Sequence, residues 1–293
     1  MTVEEARQII NEVREVADSD EEQFFLLTEA LQFLIEEEHQ PDTMMFLGGL
    51  YYERRSFDLA LKYYEMAAAY NSDAADECLG YIWYYGRTGE RDFKKAFTHF
   101  SRAMERGNLV GAYKVADMYK NGYGVEKDYD KYVSVIEDLY LQVKEARNVF
   151  APLPEIFTRL ARIRTEQGKT DEAVNLYFRA KNFLAQRIRH NAFFGNLNIM
   201  KWLIDDLYEL IEFDKDEFDF YDSLYLLKAP VKIKFMYKAK QQNLEALMED
   251  DVCVIKFNDK WYPDRDAFLS KAQIGEDKLT VIYGALDDFE VIE

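Results

Sequence analysis

The sequence predicts a mainly α-helical chain, an α–α solenoid of stacked helix pairs followed by a small α/β module. Three observations carry this expectation. Small residues and aromatics recur at fixed intervals through the first two-thirds of the chain. Glycine-bearing turns separate the recurrences. After Pro230 the apolar spacing changes from helical to alternating.

The recurrence can be measured by subtraction. Gly86 and Gly122 are 36 residues apart (122 − 86), as are Asp92 and Asp128, Lys95 and Lys131, and Phe100 and Ile136. One copy earlier, Leu79-Gly80 corresponds to Leu47-Gly48, and Ala96 to Ala60. Leucine and alanine are 17 residues apart in the later copy (96 − 79) and 13 in the earlier (60 − 47), so the earlier turn is four residues shorter. Leu160-Ala161 with Ala173 repeats the shorter interval (173 − 160).

Composition narrows the function classes. The 293 residues are 48% hydrophobic and 15% aromatic, enough for a substantial core rather than disorder. The net charge of −18 argues against nucleic acid and anionic membranes, which both require clustered lysine and arginine. It also keeps a long helical array soluble. Two cysteines, Cys78 and Cys253, make neither a disulfide framework nor a zinc spacing. The opening MTVEEARQII has no basic region ahead of an apolar core, and no apolar run reaches the roughly 20 residues of a membrane span. A cytoplasmic protein is expected.

In chain order, Ile9, Ile10, Val13 and Val16 mark one face of a helix from about Val3 to Ala17. Asp18-Ser19-Asp20 interrupts it and caps a helix over Glu21 to Glu38, whose inward residues include Phe24, Leu27, Leu31, Leu34 and Ile35. This helix pair is expected to shield the first face of the array. Four copies follow, over 42–72, 73–108, 109–145 and 150–182. The small residues Gly48, Gly80, Ala116 and Ala161 let one helix of each pair approach the other, where Ala60, Ala96 and Ala173 stand. Tyr51, Trp83, Tyr119, Tyr64, Phe100 and Tyr177 fill the layers between pairs. Tyr132 stands where alanine is expected, and Arg164 where an aromatic is expected. Further helices are expected from about Asn196 to Phe213 and from Phe218 to Leu227, completing a solenoid over residues 1–228.

The module over 229–293 opens with Val231-Lys232-Ile233-Lys234-Phe235, which alternates as a strand does. A short helix is expected at Leu244 to Met248 and a second strand at Val252 to Phe257, leading to Trp261 and Tyr262. A helix at Pro263 to Ala272 and strands at Leu279 to Tyr283 and Phe289 to Ile292 complete it.

The longer turns carry a further signature. Leucine-glycine, an aromatic, Gly122-Tyr123-Gly124-Val125, then Asp128 and a lysine together resemble the Sel-one-like repeat family, a close relative of tetratricopeptide repeats. The likeness covers roughly Asp42 to Lys181. It implies a right-handed superhelix of antiparallel helix pairs that serves as a scaffold for protein–protein contact. It also implies that the first helix of each pair lines a concave groove. The positions facing that groove are then Tyr52 and Glu53; Tyr81, Tyr84 and Tyr85; Tyr113, Asp117, Lys120 and Asn121; and Arg162. Tyrosine suits peptide recognition, giving rigid contact area with a polar tip.

Catalytic signatures are missing. His39, His99 and His190 fall in unrelated positions. Asp214, Asp216 and Asp219 suggest a calcium loop, but Asp219 and Tyr225 stand where such a loop needs glycine and glutamate. No lysine-serine/threonine pair follows NGYGV, so it is no phosphate loop. The expectation is a non-enzymatic scaffold or adaptor without cofactor or metal. Its partner is a protein or peptide, favoured by a basic segment, and not nucleic acid or membrane. Two rivals stand beside it: a small-peptide sensor, and a chain whose terminal α/β module binds a ligand or catalyses a reaction.

Overall fold

The structure is a computed structural model that describes residues 1–15, 20–190, 194–212, 219–222, 230–249 and 252–292. It divides into two compact units, Met1–Leu139 and Tyr140–Glu293.

Helices build the first unit, and their ends follow from local chemistry. α1 (Val3–Val13) opens on a capping box, in which Thr2 and Glu5 satisfy each other's backbone N–H groups. It ends at Val13; Val16, Ala17, Asp18 and Ser19 lie outside the described residues. α2 (Glu21–Glu38) starts where the Asp20 carboxylate accepts from the N–H groups of Glu22 and Gln23. The repeat helices follow as α3 (Pro41–Glu53), α4 (Phe57–Ala69), α5 (Asp73–Tyr85), α6 (Phe93–Glu105), α7 (Leu109–Asn121) and α8 (Tyr129–Val143). Gly86 and Gly122 end α5 and α7 in the left-handed conformation (φ 64° and 72°), which glycine adopts without a Cβ penalty. Ser72, Asp92 and Asn108 cap α5, α6 and α7 with side-chain oxygens.

The sequence period reappears in the backbone. Asp92 N–H donates to the Trp83 carbonyl at 3.0 Å and Asp128 N–H to the Tyr119 carbonyl at 2.9 Å, closing the two long turns alike. In the shorter turn Ser56 N–H reaches the Tyr51 carbonyl at 2.9 Å. The cations repeat too: Lys95 Nζ lies 3.8 Å from the Trp83 ring centre and Lys131 Nζ 5.0 Å from that of Tyr119.

Packing inside each pair depends on missing side chains. A Cβ on Gly48 would fall 2.6 Å from Tyr64 Cε1, and one on Gly80 2.5 Å from Phe100 Cε1. The fully buried Phe100 ring therefore lies against bare backbone, and burying a ring of this kind contributes roughly 1.5–3 kcal/mol. Tyr132 occupies the expected alanine position and is itself buried. Val13, Leu27, Leu31 and Ile35 join Met44, Leu47 and Tyr63 in one cluster, so α1 and α2 cover the open face of the first repeat. Between α5 and α6 the buried Asp76 carboxylate meets His99 Nδ1 at 2.8 Å and the Arg106 guanidinium.

The second unit contains α9 (Leu153–Glu166), α10 (Thr170–His190) and α11 (Phe194–Tyr208). Lys169 N–H closes the α9–α10 turn on the Arg164 carbonyl at 2.8 Å. Arg164, in place of an aromatic, pairs with Glu172 at 3.0 Å. The unit also holds an antiparallel sheet in the order β4-β3-β2-β1-β7, formed by β1 (Val231–Tyr237), β2 (Lys240–Glu249), β3 (Val252–Phe257), β4 (Lys260–Tyr262) and β7 (Asp287–Ile292). α12 (Arg265–Lys271), the hairpin β5 (Gln273–Ile274) and β6 (Asp277–Lys278), and α13 (Leu279–Ile282) lie between β4 and β7.

Two expectations for this module are corrected. Leu244 to Met248 is strand, not helix, because β2 pairs with β1 on one side and β3 on the other, and this two-sided ladder overrides the helix propensity of Leu-Glu-Ala-Leu-Met. Leu279 to Tyr283 is not a strand but α13 running into a 3-10 turn, with Leu279 and Thr280 buried. Of the helix expected from Phe218 to Leu227, only residues 219–222 are described, and 220–222 are helical. Phe213, Asp214, Asp216 and the boundary at 228/229 lie outside the described residues. Within the unit, Lys181 of α10 pairs with Asp222 at 2.5 Å and Asp219 at 2.9 Å, while Phe220 packs on Phe235 and Phe268.

Candidate functional site

The first helices of the pairs, α3, α5 and α7, place the expected groove residues in equivalent positions. Tyr52 corresponds to Tyr84 and Lys120 (84 − 52 is 32; 120 − 84 is 36), and Glu53 to Tyr85 and Asn121. Gly49 occupies the position of Tyr81 and Asp117, and the nearest atom to a Cβ built on it is Tyr64 Oη at 4.0 Å. The face is thus tyrosine-rich on α5, polar on α7, and open on α3.

The tyrosines are held by one another. Tyr81 stacks on Tyr85 at 6.0 Å between ring centres, and Tyr84 meets Tyr85 edge-on at 5.2 Å. Tyr84 also packs on Phe93 at 5.3 Å and Tyr123 at 6.2 Å. Burial pushes the Tyr81 phenol up strongly, and its neighbour and hydrogen-bond partner Tyr113 adds to the shift. Tyr84 is raised chiefly by burial as well. Lys114 Nζ lies 5.2, 5.7 and 5.5 Å from the ring centres of Tyr81, Tyr84 and Tyr113, a cation shared among three rings.

Individual placements differ in consequence. Tyr113 is only 7% exposed and belongs to the wall rather than the surface. Tyr85 is 43% exposed, while Tyr52 and Tyr84 are half-buried. Glu53 and Asn121 are exposed, and Asn121 donates to the Asp117 carbonyl. Lys120 lies 4.9 Å from the Tyr132 ring centre. Arg162 belongs to the second unit, where its Nε donates to Asp206 at 2.6 Å.

Sequence reasoning passed over two turn residues. Arg87 donates from Nε to the Tyr52 hydroxyl at 3.1 Å and lies 5.9, 5.7 and 5.2 Å from the ring centres of Tyr52, Phe57 and Tyr85. Tyr123 stacks on Phe93 at 4.8 Å. The two are one repeat apart (123 − 87 is 36), and each reaches back to the aromatic pair of the preceding helix pair. Those pairs are Tyr52 with Phe57, and Tyr84 with Phe93. The signal available in the sequence was the 36-residue interval itself, which relates Arg87 to Tyr123 as it relates Gly86 to Gly122.

A family model for the Sel1 repeat matches residues 44–69, 79–108 and 109–131, the helices and turns that carry this face. These are Sel1 repeats. Repeats of this kind are generally non-catalytic scaffolds for protein interaction. Similar solved structures include a Sel1 repeat protein from Oxalobacter formigenes, at 23% identity and a TM-score of 0.47, covering 61% of this chain and 67% of that one. Another is c5321, a protective antigen of uropathogenic Escherichia coli strains displaying an SLR fold, at 20% identity and a TM-score of 0.47, covering 64% of this chain and 37% of that one. Yeast Tom70 aligns at 15% identity with a TM-score of 0.38, covering 70% of this chain and 47% of that one. A comparison with curated proteins finds no match. Among the described residues no helix is long and apolar enough to cross a membrane.

Proposed function

We propose that the Sel1 repeats form a non-enzymatic, cytoplasmic adaptor that holds a peptide segment of a partner protein along the face of α3, α5 and α7. The observation that supports this reading is the rigid aromatic strip of Tyr52, Tyr84 and Tyr85 beside the vacant position at Gly49. Rigid rings lose little side-chain entropy on binding and combine apolar area with a hydroxyl. The exposed Glu53 and the net charge of −18 favour basic residues in the flanks of that segment. The same charge disfavours nucleic acid and anionic membranes as partners.

A photo-crosslinking residue placed at position 85 in the intact chain tests this reading. A discrete protein adduct is expected, and Gly49→Trp should remove it, because the indole fills the vacancy without entering the core. An adduct that persists in the Gly49→Trp protein, or none at all, sinks the proposal.

A further inference from the structure

From the geometry around Arg87 we infer that the peptide segment carries a carboxylate side chain, seated on the Arg87 guanidinium and backed by Arg91. This rests on the proposed binding face and specifies one contact within it.

The chain supplies its own precedent. The Arg54 guanidinium lies 3.6 Å from the Phe24 ring centre, and its Nη1 donates to Glu21 at 2.5 Å. One guanidinium is thus shared by a ring and a carboxylate. Arg87 also lies among rings, three rather than one, at the longer distances of 5.2–5.9 Å from their centres. Its Nε is spent on the Tyr52 hydroxyl, which fixes the plane of the fork. Among the described residues it has no carboxylate partner, and its side chain is exposed, in a chain with 55 acidic residues against 37 lysines and arginines. Of the partners that Arg54 has, the carboxylate is the one that Arg87 lacks among the described residues.

Arg91 adds a second cation to the same turn. It is exposed, its Cγ lies 3.0 Å from where a Gly86 Cβ would stand, and its charge reaches the Tyr84 hydroxyl. Two guanidiniums beside exposed tyrosine favour an acidic side chain next to an apolar or aromatic one. A carboxylate on an arginine fork forms a charge-assisted pair, stronger than a neutral hydrogen bond and fixed in direction. Basic flanks remain compatible, because among the described residues the exposed Glu53 carboxylate is not paired with Arg87.

The test is selection of random dodecapeptides displayed on phage against the intact chain, followed by fluorescence polarisation with the enriched peptides. Enrichment of aspartate or glutamate at one position beside an aromatic is expected. Neutralising that residue, or introducing Arg87→Gln, should each weaken binding by about tenfold or more. Both changes together should weaken it no further than either alone. Arg87→Lys should not restore affinity, because an ammonium lacks the fork. Matching thermal melts will show that the exposed Arg87 variants stay folded.

Peptides with no preferred acid, or full affinity for Arg87→Gln, overturn the inference. If Tyr85→Ala abolishes binding while Arg87→Gln does not, the face stands and the carboxylate contact falls. If neither substitution matters, or no peptide is enriched, both fall.

Discussion

Gly80 and Phe100 touch so closely that no side chain fits between them: a Cβ on Gly80 would lie 2.5 Å from Phe100 Cε1 and 2.6 Å from Cδ1. One repeat later the equivalent positions hold Ala116 and Ile136, both fully buried. The extra methyl on one helix accompanies a smaller group on the other. Gly80→Ala should therefore cost about 1–3 kcal/mol, the usual penalty for overpacking. Gly80→Ala with Phe100→Ile should recover part of that loss. Urea denaturation of both singles and the double measures the coupling, and strict additivity would count against direct contact.

The adjacent glycines of α3 should respond with opposite signs. Gly48→Ala meets the Tyr64 ring at 2.6 Å and should destabilise by about 1–3 kcal/mol. Gly49→Ala meets nothing closer than 4.0 Å and gains helix propensity, so it should stabilise by about 0.5–1 kcal/mol. Thermal melts of the two proteins decide it. Losses of equal size at both positions would contradict the packing described for this helix.

Glu77 should make the repeats less stable as pH rises. Burial pushes its carboxyl above the ordinary value of 4.5, although the Asn108 amide donates to it. Because the folded group holds its proton to higher pH than the unfolded one, stability is lost as pH climbs from 4.5 through the raised value. Glu77→Gln keeps an acceptor for Asn108 and removes the charge. Its melting temperature should exceed that of the parent at neutral pH and converge with it in acid. A constant difference across the range would refute the assignment.

The β1–β2 hairpin carries correctable strain. Its two turn residues, Lys238 and Ala239, both have positive φ, at 48° and 59°. Such a turn favours glycine at the second position. Lys238 also pairs with Asp277 at 2.9 Å and is best left in place. Ala239→Gly should raise stability by roughly 0.5–1 kcal/mol, since a left-handed alanine costs about 1–2 kcal/mol and glycine returns part of the gain as chain entropy. Chemical denaturation measures this, and an unchanged midpoint would argue that the turn is relaxed.

Burial drives the Cys78 thiol up to about 11, so at neutral pH it carries no appreciable thiolate. Alkylation of the folded protein should therefore be slow at Cys78 and should accelerate on unfolding. Equal rates in the two states would contradict its placement.

The helix pairs were legible in the sequence because their determinants are local and recur. Gly48, Gly80 and Ala116 set the contact, and Asp92 and Asp128 set the helix starts. The sheet module was harder to read. Leu244 to Met248 has the side chains of a helix, and only pairing with residues distant in sequence makes it a strand. The proposed binding face was legible as a set of positions, but not in the direction each side chain takes. Tyr113 turns into the wall because Tyr81 and Lys114 take up its hydroxyl and ring. Arg162, chosen by periodicity, is engaged by Asp206. Arg87 and Tyr123 lie in turns, where helical periodicity says nothing about orientation.

The reach of Arg87 and Tyr123 back onto the preceding pair gives the array a direction. The turn of one module lies against rings of the module before it. Exchanging a single turn, with every helix untouched, would therefore rewrite the chemistry offered one module upstream. The selectivity of the proposed face could in this way diversify through changes in two short loops, while the contacts that stack the helices stay fixed.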